Sequence, residues 1–335
     1  MRRAGKRTFV YEERPVIRAA AAIVGPKEGQ GPLGADFDVV LPDDLLGMGS
    51  WEKAESEMLR RAVELCASKS GVTIKAVDMM LAGDLQDQIT ASGFAARALG
   101  IPFFGLYGAC STFVESLVLG GVLVDGGLAN RAVCAASSHF CAAERQYRFP
   151  LELGNQRPPY AQWTATAAGA ALLSREDTGL CRLTHGTVGR IVDYQIKDAS
   201  HMGAAMAPAV ADTLTAHFLD TGRAPQDYDQ IVTGDLGIIG RELLMDLMRE
   251  RGMPVEPERL SDCGASLYGP EQDAHAGGSG CGCIASVLSA HFLPLISGPF
   301  KRLLALGSGA MLSPATTQQG ESIPSISYAV ALEEL

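Results

Sequence analysis

VDMMLAGDL, residues 77–85, returns later in the chain as YDQIVTGDL, residues 228–236. Each is a short apolar run closed by Gly-Asp-Leu. Each is preceded by an amphipathic helical pattern, EKAESEMLRRAVELCASKS at 52–70 and APAVADTLTAHFLDTG at 207–222. Each is followed by a second helix, a short strand and a glycine-rich turn. The agreement continues: GACSTFVESLVLGG (108–121) matches GSGCGCIASVLSAH (278–291), with Cys110 opposite Gly280. The strand RAVCAASSH (131–139) then matches RLLALGSGA (302–310). Helix, strand, helix, strand, turn, helix, strand, written twice, is a duplicated α/β unit. Its strands are continuous apolar runs, as expected where helices cover both faces of a sheet.

Residues 1–175 read as the first half and 176–335 as the second. Insertion loops fall at 25–50 and 140–163, and the stretch 140–207 also carries the crossover between halves. No low-complexity linker separates them, so they are expected to pack as one unit.

The formal net charge of −10 argues against nucleic acid and against anionic membrane surfaces as electrostatic partners. The first twenty residues carry basic side chains but no apolar core of a secretory signal. The most apolar run, Ile284 to Ile296, contains His291 and Pro294 and falls short of the roughly 20 residues a bilayer requires. Synthesis in the cytoplasm is therefore expected. Eight cysteines without a signal point to a reducing compartment and free thiols.

Cys110 lies at a turn entering a helix. There the positive end of the helix dipole is expected to lower its pKa and make it a nucleophile. A duplicated α/β unit with a cysteine at this turn resembles the thiolase superfamily, which includes thiolases and ketoacyl synthases. TATAAGAALLS (164–174) is similar to the strand after that family's first insertion, and LLALGSGAMLS (303–313) to its closing strand. The resemblance implies a five-layer α/β/α/β/α fold. The strings GPKEGQGPLGADFD, SWEKAESEM, AGDLQDQITAS, GACSTFVESL, SSHFCAAERQYRFP and KDASHMGAAMAPA, in that order, narrow it to the thiolase-like family among the stage V sporulation proteins. Those proteins move dipicolinic acid into the developing spore. The narrower resemblance implies dipicolinic acid, alone or with calcium, as ligand and other stage V membrane proteins as partners. It also implies a peripheral place at the forespore or spore inner membrane. A homodimer built through the strand RAVCAASSH is expected.

A condensing enzyme needs two imidazoles, or an imidazole and an Asn, beside its cysteine. In thiolase-like families these come from the second half. The matching positions here read Thr233-Gly234-Asp235 and Gly277-Gly278-Ser279, and His275 is the one imidazole nearby. Cys110 is thus read as a vestigial nucleophile in a binding protein with no catalytic residue. The alternatives are an acyltransferase using Cys110 on a thioester, and a scaffold for spore membrane-channel proteins.

Two glycine-rich helix entrances, at Cys110-Ser111 and at Gly280-Cys281, are expected to converge and to favour a carboxylate ligand. Dipicolinic acid, a planar pyridine dicarboxylate, also needs a cationic donor. Arg145 and Arg148 lead, with Arg157 and Lys197 behind them. Tyr160 and Trp163 are the flat neighbours expected for its ring, with Tyr147 next. His139, Asp235, Asp84, Gln86 and Gln88 complete the candidates, the last three where a sister subunit would meet the pocket. No cofactor and no metal are expected. Cys263, Cys281, Cys283 and His275 lack zinc spacing, and GGSGCG lacks the lysine of a phosphate loop.

Overall fold

The computed structural model describes every residue except 149, 155 and 297, the first two of which fall in the 140–163 insertion. The first half contributes β1 (Val16–Val24), α1 (Trp51–Lys69), β2 (Met79–Gly83), α2 (Thr90–Leu99), β3 (Phe103–Gly105), α3 (Thr112–Asp125), β4 (Arg131–Ser138), α4 (Phe140–Tyr147) and β5 (Ala167–Ser174). The second contributes β6 (Cys181–Thr187), α5 (Met202–Thr221), β7 (Gln230–Thr233), α6 (Gly237–Glu250), β8 (Leu260–Asp262), α7 (Cys281–Val287), β9 (Arg302–Ala310) and β10 (Ser325–Glu333).

The strands run β8-β7-β9-β10-β6-β1-β5-β4-β2-β3. That order is a palindrome of one five-strand unit. Within each unit the three strands at the outer end are parallel. The inner two are antiparallel to their neighbours. The units meet where β6 pairs with β1, Cys181 with Ile17 and Arg182 with Val16, and the N-terminal strand Thr8–Val10 pairs with the rest of β6.

Three separate apolar cores alternate with the two sheet halves. Met58, Leu59 and Val63 of α1 cover the outer face of the first. Met206, Val210 and Leu214 of α5 cover the outer face of the second. Phe113 and Leu117 of α3 join Ile284 and Leu288 in the middle core. Five layers follow, α/β/α/β/α. Small side chains in β1, β4 and β5 let the middle helices come close. A Cβ on Gly169 of β5 would stand 2.1 Å from the carbonyl oxygen of Ala285 in α7. No alternative residue fits there.

Three expectations need correction. β4, the RAVCAASSH strand, cannot carry a dimer, because β5 occupies one of its edges and β2 the other. The unpaired edges of the path are β3 and β8. The closing strand is β10 rather than β9, and it lies antiparallel between β9 and β6. The 25–50 stretch is not all loop. It holds a short helix, Pro26–Gly29, and a strand, Val39–Val40, that pairs in parallel with the end of β1.

Candidate functional site

The turn before α3 is tied down by its own hydroxyls. Ser111 Oγ donates to the Gly108 carbonyl at 2.6 Å. Thr112 Oγ1 accepts from the Gly108 N–H at 3.1 Å and donates to the Ala109 carbonyl at 2.7 Å. Ala109 takes the left-handed φ of +50° that this tight entry requires. Cys110 is left at the floor of a pocket, with Sγ 4.0 Å from Ser279 Oγ.

Ser279 leads to Asp235, the aspartate of the second Gly-Asp-Leu. Its Oδ2 accepts from Ser279 Oγ at 2.9 Å and from the Gly280 N–H at 2.9 Å. Its Oδ1 accepts from Ser308 Oγ at 2.9 Å. Burial raises the Asp235 pKa against these bonds. The Cys110 thiol is pushed well above its ordinary value, first by burial and then by the Asp235 charge. This reverses the expected lowering. The partial charge of a helix end does not offset full desolvation beside a carboxyl group.

The second helix entrance is already filled. The Gly280 N–H goes to Asp235 and the Gly282 N–H to Ser138 Oγ, at 3.1 Å. Gly280 has φ +99°, and a Cβ there would come within 2.7 Å of Ser138 Oγ. Cys281 faces away, donating to the Ser137 carbonyl at 2.9 Å. The two entrances do approach each other, but only the Cys110 side borders open space.

That space is a pocket of about 410 Å3, including its mouth. Most of that volume is the open mouth, and the enclosed part is small. Leu85, Tyr107, Tyr147, Met202 and Leu312 form its walls, and Cys110, Thr164 and Ser279 its polar floor. Arg148 is the one cation among the described lining residues. Its Nη1 donates to Glu144 Oε1 at 2.7 Å, and its Nε to the Ala199 carbonyl at 3.4 Å. Glu144 is buried and also accepts from Thr164 Oγ1 at 3.0 Å.

The remaining candidates lie outside this lining. Arg145 pairs with Glu52 and rests over the Trp51 ring, 5.3 Å from its centroid. Arg157 bonds the Asp273 carbonyl and lies 4.7 Å over the Trp163 ring. Trp163 is stacked on Phe140 at 3.7 Å. Tyr160 donates to Asp198 Oδ2 at 2.9 Å and stacks on His201. Lys197 is exposed. His139 is buried at the start of α4, where Nε2 meets the Asp44 carbonyl at 2.9 Å. Burial lowers its pKa. His275 is exposed beside Asp273, 3.5 Å away, and does not line the pocket.

Asp84 is a structural clamp. It accepts from the Gln86 N–H at 2.9 Å and the Ser92 N–H at 2.7 Å, fixing the loop into α2. Gln86 Nε2 in turn holds Glu55 Oε2 at 2.7 Å. Burial raises both carboxyl groups, and Asp84 raises Glu55 further. Gln88 adopts φ +58° in the same loop. Sequence reasoning missed Tyr107, Thr164, Met202 and Leu312. Tyr107 carried a signal, lying three residues before Cys110. Met202 and Leu312 reach the pocket only through the second half's return.

Among the described residues no group of three His, Cys, Asp or Glu converges as a metal site. Among the described residues no helix is long and apolar enough to cross a membrane.

Known structures share this architecture at low identity. Human mitochondrial 3-ketoacyl-CoA thiolase in complex with CoA superposes with a TM-score of 0.63 at 14% identity, covering 98% of this chain and 99% of that one. The 3-oxoacyl-[acyl-carrier-protein] synthase III of Aquifex aeolicus VF5 gives 0.58 at 10% identity, covering 95% and 99%. These establish the thiolase-like fold. Stage V sporulation protein AD of Bacillus subtilis (strain 168) is far nearer in sequence, 42% identical over 334 residues, or 99% of this chain and 98% of that one. The profile of that family matches residues 5–333. Both halves, both insertions and the Cys110 turn fall within the matched span, so the chain belongs to the stage V sporulation protein AD (SpoVAD) family.

Proposed function

We propose that the Cys110 pocket binds dipicolinic acid, free or as its calcium complex, without turning it over, and so serves its uptake into the developing spore. The observation that carries this reading is the lining itself. Aromatic and apolar walls flank one guanidinium, the cysteine holds its proton, and no imidazole is among the described lining residues. Such a site suits a flat ring bearing a carboxylate. The imidazole that usually serves as base in a thioester reaction is not among its described lining residues. The choice of dipicolinate is what the family resemblance read from the sequence implies, and kinship with a stage V sporulation protein agrees with a role in sporulation. The test is calorimetric titration with dipicolinate, with benzoate and acetyl-CoA as controls. Saturable binding of dipicolinate alone is expected.

The acyltransferase reading rests on the thiolase-like fold and on Cys110. Incubation with acetyl-CoA is expected to leave the intact mass unchanged. A stoichiometric acyl adduct, lost in Cys110→Ala, would overturn the non-catalytic reading.

The chain works as a homodimer joined at the β3 edge, docked at the spore inner membrane through other stage V membrane proteins. Phe104 on that short edge strand is 52% exposed and Phe94 of α2 is 49% exposed. Burying aromatic surface and an open strand edge together favours a second copy. Sedimentation over a wide concentration range is expected to show twice the chain mass. A persistent 35.3 kDa species would refute the dimer.

A further inference from the structure

Beside the Cys110 pocket lies a wider cavity of about 870 Å3, bordered by Gln86, Gln88, Ile89 and Gly105 on one side and by Met311 and Pro314 on the other. Tyr107, Tyr147 and Leu312 line both spaces. The two phenols are bonded to each other, 3.0 Å between hydroxyl oxygens. Tyr147 is further anchored by donation to the Leu85 carbonyl and by its place on α4.

Exposure separates the two tyrosines. Cys110, Ala143, Thr164, Met202 and Ser279 of the inner lining are buried, and Tyr147, Arg148 and Leu312 are half-buried. Tyr107, at 42%, is the only exposed residue of that lining. Among the described residues, then, the inner pocket meets solvent chiefly where Tyr107 stands. One neutral hydrogen bond to another phenol holds the Tyr107 hydroxyl.

We infer that the wider cavity is an antechamber and that Tyr107, closed against Tyr147, determines the size of ligand that passes from it to Cys110. Tyr147 is the fixed post and Tyr107 the moving one. A small planar ligand enters as the phenol pair parts, whereas a bulky one needs the Tyr107 ring removed. The inference rests on the Cys110 pocket being the ligand site, yet its test needs no ligand.

Cys110 itself reports access. Wild type, Tyr107→Phe and Tyr107→Ala are treated at one alkaline pH with iodoacetamide and, separately, with a pyrene-bearing maleimide. Labelling is followed peptide by peptide by mass spectrometry. Cys141, half-buried on α4 and outside the lining, is the internal reference. Tyr107→Phe keeps the ring and loses the bond, so iodoacetamide should label Cys110 roughly two- to tenfold faster, the worth of one neutral hydrogen bond. Tyr107→Ala should be faster still and should admit the maleimide, which leaves wild-type Cys110 unmodified. Cys141 should react alike in all three. Equal Cys110 rates across the variants, or a rise matched at Cys141, would overturn the inference. If dipicolinate fails to bind wild type while the Cys110 rates still rise, the ligand assignment falls and the tyrosine passage stands.

Discussion

Cys110→Trp should abolish dipicolinate binding while leaving the fold intact. The Cys110 side chain borders the pocket floor, 4.0 Å from Ser279 Oγ and facing the narrow space that opens to the surface. An indole placed there fills the volume a pyridine ring would take. Overpacking a core typically costs about 1–3 kcal/mol, and here the pocket's opening to solvent gives the ring a way out of the core. Circular dichroism should therefore match wild type while calorimetry records no heat of binding. Wild-type affinity in this variant would place the ligand elsewhere.

Arg148→Ala should weaken dipicolinate binding roughly ten- to a hundredfold, since a charge-assisted hydrogen bond contributes about 1.5–3 kcal/mol. The global charge of −10 repels a dianion, so recognition has to be local. Arg148 is the cation the described lining offers. Arg145→Ala should leave affinity unchanged, because its guanidinium is spent on Glu52 and Trp51 outside the pocket. One complication has a direct control. Removing Arg148 strands the buried Glu144 carboxylate, whose charge would itself repel the ligand. The double variant Arg148→Ala/Glu144→Gln removes that repulsion. If it stays at least tenfold weaker than wild type, the lost guanidinium is responsible. Full recovery in the double variant would show that Arg148 merely neutralises Glu144. A monocarboxylate analogue should bind more weakly than dipicolinate by a similar factor.

Arg145 and Arg148 also show where the sequence stops being readable. Both lie in one basic, aromatic string, and nothing in their spacing separates them. Arg145 is within the last turn of α4 and reaches across to α1. Arg148 comes just after the helix ends, where the backbone leaves helical geometry and the side chain turns inward. Only packing makes that distinction. The duplicated halves were legible because a strand ending in Gly-Asp-Leu is a local pattern that repeats with its flanking elements. The Cys110 turn was legible for the same reason. The dimer strand was misjudged because apolarity marks burial, and β4 is buried by its two neighbouring strands rather than by a partner. Asp235 was noted as a ligand candidate. Its role as internal partner of Ser279, Ser308 and Gly280 depends on residues from three separate stretches of chain.

The carboxylate of Asp235 gives the duplicated architecture an unequal arithmetic. Two halves supply two helix entrances, but the second is occupied by the chain's own anion. Asp235 stands as a built-in tenant where a symmetric ancestor would have had room for another guest. The expected stoichiometry of the proposed binding therefore follows the chain and not the repeat: one ligand per polypeptide, and two rather than four in the proposed homodimer.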